Sequence, residues 1–291
     1  MTALEDAQAL RKAMKGLGTD EKAIIEIVAN RTNAQLLEIK DVYEKNIQRD
    51  LIKDLKSEIS GNFQKAVLAL LEPAIEYDVD QLNNSMKGIG TNEDTLIEII
   101  ASRDEARLNQ IKMRYKEKYN KDLETSIEKE TSGNLKRLLI SLLQGGRSRN
   151  MRYDVNDCQT KAKMLYEAGE SKWGTNSYVF NQIFSLSSKY ELSYICKEYY
   201  KLYGHSIIDV INTNFEGDLK KLLKSIIHAI INPSEYFASR IKDAIKGLGT
   251  KDTLLIRTIA TRREIDLPMI KKYYKQLYGK DMVDDIKKDT S

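Results

Sequence analysis

The fold is decided by the stretch Met14-Lys15-Gly16-Leu17-Gly18-Thr19, which the chain repeats. It returns as Met86-Lys87-Gly88-Ile89-Gly90-Thr91 and again as Ile245-Lys246-Gly247-Leu248-Gly249-Thr250. A degenerate copy lies between the last two, Gly169-Glu170-Ser171-Lys172-Trp173-Gly174-Thr175. The Gly-Thr steps begin at positions 18, 90, 174 and 249, so their spacings are 72, 84 and 75 residues. Self-similarity of this kind predicts a four-fold array of helical units with an insertion near its middle.

A second marker follows each Gly-Thr step at a constant distance. The residues 40 positions after the four glycines are Glu58, Glu130, Asn214 and Asp289. Their surroundings match as well, since Ser-Gly-Asn follows the first two at the same offset. A constant separation across four copies indicates that the glycine loop and the distant residue belong to one structural feature.

Between the two markers the hydrophobic pattern is helical. Ile24, Ile25, Ile27 and Val28 follow the first loop with the spacing of a buried helical face, and the second repeat has the same pattern. Each repeat therefore predicts about five short helices: one before the loop, three between the markers and one after the acidic residue. The loop threonines stand where helix N-caps are expected. Strand alternation is not sustained anywhere in the sequence, so the predicted fold class is all-α.

The repeats suggest domain boundaries. We expect repeats at 1–72, 73–144, 157–232 and 233–291, with a linker at 145–156 between the two halves. The linker is basic and broken by glycines, which fits either a solvated connection or a basic binding patch. Because the chain stops at Ser291, directly after the Asp289 marker, the fourth repeat is expected to lack its last helix.

Composition narrows the function classes. The 291 residues carry 47 Lys and Arg against 43 Asp and Glu, and a net charge of +4 does not predict a nucleic-acid partner. Two His and two Cys leave little for a zinc site or a disulfide framework. His205 and His228 lie in no evident catalytic pattern, so we expect no enzyme activity. The N-terminus lacks the apolar core of a secretory signal, which favours a cytoplasmic protein.

The repeated loop suits a calcium ion. Paired glycines allow backbone conformations in which carbonyl oxygens converge, and Ca²⁺ accepts six to eight oxygen ligands. A distant carboxylate would add charge to such a site. Two alternatives are a phosphate cradle at a helix N-terminus and a turn with no ligand. The cradle is disfavoured because the motif lacks a P-loop ending, and because Asp20, Glu21 and Glu93 crowd the helix starts.

The residue between the glycines is apolar in every copy. These loop tips are Leu17, Ile89, Trp173 and Leu248, and in three loops a lysine stands immediately before the first glycine: Lys15, Lys87 and Lys246. An apolar tip beside a cation suits a membrane interface, where lysine meets anionic lipid. The alternative is that the tips fold back into the core.

The whole chain resembles an annexin in its four repeats, its Lys-Gly-x-Gly-Thr loops and its acid 40 residues later. The resemblance implies a curved all-α disc of four five-helix repeats, with Ca²⁺ sites on the convex face that bind acidic phospholipids reversibly. It implies Ca²⁺ ligands from the loop carbonyls and the distant acid of three repeats: Met14, Gly16, Gly18 and Glu58; Met86, Gly88, Gly90 and Glu130; Ile245, Gly247, Gly249 and Asp289. A minor site of family type would use Thr19 and Glu21. Charged residues at channel-lining positions of the family, Asp78, Glu98, Arg103 and Arg257, fit either a conducting path or a buried ion-pair network.

The third repeat departs from the family pattern. Gly169, Lys172 and Gly174 can offer carbonyl oxygens, but Asn214 replaces the carboxylate with a neutral amide. We therefore expect a weak or empty site there, unless Glu216 compensates.

The leading functional hypothesis is calcium-dependent, reversible binding to acidic phospholipid membranes, with Ca²⁺ as the cofactor and a peripheral position on the membrane when Ca²⁺ rises. The alternative is a helical scaffold for protein partners, cytoskeletal ones among them, with Ca²⁺ incidental. Self-association on membranes is compatible with either hypothesis.

Overall fold

The computed structural model describes residues 2–16, 18–147, 151–170, 175–247 and 249–290. Within these ranges the chain forms nineteen α-helices and one π-helical turn, and no strand occurs. The predicted all-α fold class is confirmed.

The helices can be taken in four successive sets, with five helices in each of the first three and four in the last. The first set is α1 (Ala3–Ala13), α2 (Glu21–Asn30), α3 (Asn33–Val42), α4 (Leu51–Glu58) and α5 (Gly61–Leu71), with the π-helical turn at Tyr43–Ile47. The second is α6 (Ala74–Ser85), α7 (Glu93–Ser102), α8 (Glu105–Tyr119), α9 (Leu123–Glu130) and α10 (Gly133–Gln144). The third is α11 (Val155–Glu170), α12 (Ser177–Leu186), α13 (Lys189–Tyr203), α14 (Ile207–Asn214) and α15 (Gly217–Ile231). The last is α16 (Pro233–Ala244), α17 (Asp252–Arg262), α18 (Leu267–Tyr278) and α19 (Met282–Thr290).

The chain divides into two compact units that do not follow chain order. One unit joins Met1–Tyr77 with Phe237–Ser291, and the other is Asp78–Tyr236. In the first, α5 packs against α17; in the second, α7 packs against α15 and α11 against α13. The described part of the predicted linker therefore lies inside the second unit. Arg147 is fixed there, because its guanidinium donates to the Phe184 carbonyl at 2.7 Å.

Each unit contains a buried aspartate that is paired with an arginine 25 residues later in the sequence. In the second unit Arg103 donates to both carboxylate oxygens of Asp78, at 2.8 and 3.0 Å. In the first, Arg31 does the same to Asp6, at 2.6 and 2.9 Å. Both aspartates are 1% exposed, so each charge is compensated by a bidentate partner rather than by water. The sequence analysis singled out Asp78 and Arg103 but missed Asp6 and Arg31. The repeat could have revealed them, since Asp6 and Arg31 each lie 72 residues before their counterparts.

Candidate metal centres

Three glycine loops share one unusual backbone form. Both glycines of each loop have a positive φ: Gly16 and Gly18 at 115° and 87°, Gly88 and Gly90 at 102° and 85°, Gly247 and Gly249 at 117° and 81°. A Cβ added at any of them would meet nothing within 4 Å. Glycine is required there because other residues rarely adopt this conformation, not because space is short.

Each loop is closed by one backbone hydrogen bond. In three loops an N–H just before the following helix donates to the carbonyl of the last residue of the preceding helix: Asp20 to Ala13 at 2.9 Å, Asn92 to Ser85 at 2.8 Å and Lys251 to Ala244 at 2.7 Å. In the third repeat Asn176 donates to the carbonyl of Ala168, within the last turn of α11, at 2.8 Å. The first three bonds span seven residues and the fourth spans eight. The third repeat's loop is thus one residue longer, and Gly169 takes the position that Met14 has in the first.

The loop threonines connect each loop to its distant acid. Thr19 donates its hydroxyl to a carboxylate oxygen of Glu58 at 2.9 Å, and Thr91 does the same to Glu130 at 2.8 Å. In the fourth repeat Thr250 donates to Asp289 at 2.5 Å. The structure therefore brings each paired-glycine loop together with the acid that follows it by 40 residues.

This use of the threonines corrects a prediction. The expected threonine N-caps were wrong by one residue: Asp20 caps α2 by accepting from the N–H of Ala23 at 3.0 Å, and Asn92 caps α7 from the N–H of Thr95 at 3.0 Å. Because the following residue caps the helix, the threonine hydroxyl is available for a partner far away in the sequence.

The predicted ligand atoms fit a hard cation. Within the described residues, no donor contacts the carbonyl oxygens of the predicted loop ligands Met14, Gly16, Gly18, Met86, Gly88, Gly90, Ile245, Gly247 and Gly249. Glu58 and Asp289 are half-buried and Glu130 is exposed. The described chain contains no group of three or more His, Cys, Asp or Glu side chains that could hold a metal ion. Each loop thus offers mainly neutral oxygens and one carboxylate, a donor set suited to Ca²⁺ rather than to zinc.

The third repeat lacks this arrangement at its distant residue. Asn214 is exposed, and its amide nitrogen donates to the Val210 carbonyl of its own helix at 3.1 Å. Gly169 is buried in the last turn of α11, where an added Cβ would lie 2.6 Å from the Val210 side chain. Glu216 is the exposed N-cap position of α15. Lys172 and Gly174 lie outside the described residues.

Of the four predicted loop tips, Ile89 lies within the described residues, and it is fully exposed. Ile89 has a relative exposure of 109%, so it does not fold back into the core, and Lys87 beside it is also exposed. The tips Leu17, Trp173 and Leu248 lie outside the described residues, whereas their neighbours Lys15 and Lys246 are exposed. Glu21, predicted for the minor site, is the exposed first residue of α2, and its N–H donates to the Thr19 carbonyl at 3.1 Å.

The surroundings of His205 and of both cysteines raise the pKa of each group. A hydrogen bond to Glu170 at 2.6 Å raises the pKa of His205, and the same carboxylate accepts from Tyr199 at 3.0 Å. Burial raises the pKa of Cys158 to about 11 and that of Cys196 to about 12. Both thiols are protonated at neutral pH and are poor nucleophiles.

Comparison with known proteins gives a consistent match along the chain. The family model described as Annexin matches residues 5–70, 77–142, 160–226 and 236–291. Annexin A4 of Homo sapiens is 43% identical over 289 residues, covering 99% of this chain and 91% of that protein. Annexin A11 of Homo sapiens is 41% identical over 288 residues, covering 99% of this chain and 57% of that protein. Among solved structures, chicken annexin V in complex with Zn²⁺ has a TM-score of 0.94 at 40% identity, covering 100% of this chain and 92% of that one. Calcium-bound annexin (Sm)1 has a TM-score of 0.88 at 31% identity, with coverages of 100% and 87%.

Proposed function

This chain belongs to the annexin family, and we propose from that premise that it binds acidic phospholipid membranes reversibly through its glycine loops, with Ca²⁺ joining the loops to lipid phosphate. Annexins in general bind phospholipids in a Ca²⁺-dependent way and are not enzymes, and Ca²⁺ is the ion of this family. No helix in the described part of the chain is both long and apolar enough to cross a bilayer. Membrane binding from the surface is therefore the form that the proposal takes.

The threonine–carboxylate hydrogen bonds are the observation that carries the proposal. They hold Glu58, Glu130 and Asp289 against loops whose carbonyl oxygens have no donor among the described residues. Bound Ca²⁺ would supply positive charge and open coordination positions that a lipid phosphate can fill. The protein's contribution is to present the carbonyls and one carboxylate together before the ion arrives.

The donor set predicts weak sites in the absence of lipid. One carboxylate per site, with otherwise neutral oxygens, suggests dissociation constants on the order of 10⁻⁴ M or weaker. Ca²⁺ and membrane affinities are coupled reciprocally, since each ligand completes the site of the other. Several such sites on one chain then gain affinity by multivalency. We therefore propose a cytoplasmic protein that becomes peripheral on membranes when Ca²⁺ rises.

Co-sedimentation with phosphatidylserine vesicles tests the proposal. We expect binding with Ca²⁺ and little binding with a chelator. Equal binding in both conditions would refute Ca²⁺ dependence. A scaffold with incidental Ca²⁺ would instead bind no vesicles in either condition, so the same experiment separates the two functions.

A further inference from the structure

A polar groove opens beside the second glycine loop. Its volume is about 550 Å³, and the ends of α6 and α8 together with α9 enclose it. A groove of this size can hold a small polar ligand or a lipid headgroup. The lining residues used below are Lys87, Tyr115, Lys121, Ser126, Lys129 and Glu130.

The groove contains three lysines without acidic partners. Lys87, Lys121 and Lys129 are exposed, and none forms an ion pair with another residue that the structure describes. Asp122 also lines the groove, but its carboxylate is 3.0 Å from the ammonium of Lys116. Glu130 therefore remains as the main opposing charge, and it lies at the loop edge where Thr91 holds it.

In the first and fourth repeats an aspartate occupies the position of Ser126 and is paired with cations, whereas the third repeat has Val210 there. The residue that matches Ser126 in the first repeat is Asp54, which accepts from Arg49 at 2.6 and 2.7 Å and from the Tyr43 hydroxyl at 2.6 Å. In the fourth repeat the matching residue is Asp285, which accepts from the Tyr274 hydroxyl at 2.5 Å.

Cations accompany Asp285 as well. Lys280, the counterpart of Lys121, lies 3.5 Å from its carboxylate, and Lys242 lies at 2.8 Å. Arg49 and Lys280, the basic residues just before α4 and α19, are thus each paired with the aspartate of their own repeat.

Ser126 gives the second repeat one negative charge fewer at this position than the first and fourth repeats have. The Tyr115 hydroxyl donates to the neutral Ser126 hydroxyl at 3.3 Å, and Ser126 donates to the Asp122 carbonyl at 3.0 Å. The tyrosine keeps its hydrogen bond to this position, but among the described residues no carboxylate forms an ion pair with Lys121. The first repeat also lacks a counterpart of Lys129, since Ser57 stands there.

We propose that this groove binds a phosphomonoester carried on a lipid headgroup. A phosphomonoester bears about −1.5 to −2 charges at pH 7 and three strong acceptor oxygens, which match unpaired ammonium groups. The lipid source follows from position: the groove includes Lys87 and Glu130, and Lys87 is two residues from the fully exposed Ile89. The inference rests on the proposed function, because Glu130 repels the phosphate unless a cation neutralises it.

Two variants remove the charge pattern in different ways. Ser126→Asp restores the arrangement of the first and fourth repeats, with Tyr115 able to donate to the new carboxylate. Lys121→Ser combined with Lys129→Ser removes the charges themselves. The matched control is Lys53→Ser with Lys56→Ser on α4, which removes two exposed lysines from the equivalent helix of the first repeat.

The assay compares two vesicle types at saturating Ca²⁺. One contains phosphatidylinositol monophosphate, and the other contains enough phosphatidylserine to give the same zeta potential. Nonspecific attraction of lysines to the surface is equal for both vesicle types, so the wild type should prefer the phosphomonoester vesicles by on the order of tenfold through charge-assisted hydrogen bonds from the groove lysines to the headgroup phosphate. Both groove variants should reduce that ratio to about one while still binding phosphatidylserine, and the α4 control should keep the ratio.

The outcomes are separable. If the wild type shows no preference but binds phosphatidylserine with Ca²⁺, this inference fails and the proposed function stands. If the wild type binds neither vesicle with Ca²⁺, the proposed function fails. A preference that survives in both groove variants would also overturn the assignment. Calorimetry with a soluble inositol phosphate completes the experiment. Tight binding of that compound in the absence of vesicles and Ca²⁺ would refute the assignment of the ligand as a lipid headgroup.

Discussion

Glu130→Gln removes one negative charge from the second loop and leaves an oxygen for Thr91. The Thr91 hydroxyl donates to this side chain at 2.8 Å, and the amide oxygen of glutamine can accept the same bond. Glu130 is exposed, so no burial penalty changes with the substitution. The free energy of unfolding in a chelator should therefore fall by less than about 1 kcal/mol.

The effect on Ca²⁺ should be much larger. A carboxylate oxygen about 2.4 Å from a divalent cation gains about 3 kcal/mol even with the screening of bulk water. A neutral amide oxygen recovers part of that energy. We expect Ca²⁺ binding at this loop to weaken roughly 30- to 100-fold, as 1.4 kcal/mol corresponds to about tenfold. The midpoint for vesicle binding should rise by less, because the first and fourth loops still contribute, and adding Glu58→Gln should raise it further.

Ca²⁺-titrated co-sedimentation with phosphatidylserine vesicles measures this effect, and urea unfolding in a chelator checks the fold. Glu128→Gln is the matched control, since Glu128 is exposed on the same helix and has no partner among the described residues. An unchanged Ca²⁺ midpoint for Glu130→Gln, or an equal shift for the control, would refute the assignment of Glu130 as the carboxylate of a Ca²⁺ site.

The other predictions concern backbone, charge and pH. Gly18→Ala forces alanine into a φ of +87°, which should cost about 1 to 2 kcal/mol and raise the Ca²⁺ midpoint, whereas Gly204→Ala, at a φ of +75° after α13, should lower the urea midpoint alone. Asn214→Glu should add one Ca²⁺ per chain in calorimetry with vesicles, and an unchanged stoichiometry would show that the carboxylate is not what the third repeat lacks. A hydrogen bond from Lys242 lowers the pKa of Asp285 from 3.8 to about 2 in the folded protein. The ionised carboxylate therefore stabilises the fold above pH 3.8, and this contribution is lost as the pH falls towards 2. Urea midpoints at about pH 5 and pH 2.5 should differ more for the wild type than for Asp285→Asn, and equal differences would contradict this contribution.

Local features of the repeats could be predicted because the sequence repeats them. Hydrophobic spacing after each loop predicted helices: α2 occurs where Ile24 indicated it, and α7 occurs at the same pattern in the second repeat. The paired glycines predicted an unusual backbone, and all six described loop glycines that form the pairs have positive φ. The grouping of repeats could not be predicted in the same way, because it depends on which helices pack together. The contact of α5 with α17 joins segments nearly 200 residues apart, and no local pattern specifies it.

Thr19 shows why part of the site was missed. A threonine just before a helix has two competing uses for its hydroxyl: the helix N-cap, two or three residues away, and a tertiary partner. Local propensity favours the cap. The sequence does contain a sign of the other use, since Asp20 and Asn92 are themselves good caps and make the threonine redundant in that role. Two capping residues in succession can therefore indicate that the first one acts elsewhere.

The functional differences that we propose between repeats lie at positions where the repeats differ in sequence. The glycine loops are nearly identical in three repeats, so they explain a shared activity and cannot explain why one repeat should bind differently from another. Asn214 replaces the carboxylate of a predicted Ca²⁺ site, and Ser126 changes the charge beside one, although Ser126 belongs to no recognisable motif. The consequence of Ser126 becomes clear only when its counterparts are seen to pair with Arg49 and Lys280. The repeats of one chain can therefore be compared with one another. Two of them have an ion pair at the position of Ser126, and the second repeat has lost its carboxylate. The lysine that is left without a partner there identifies a surface that can bind another anion.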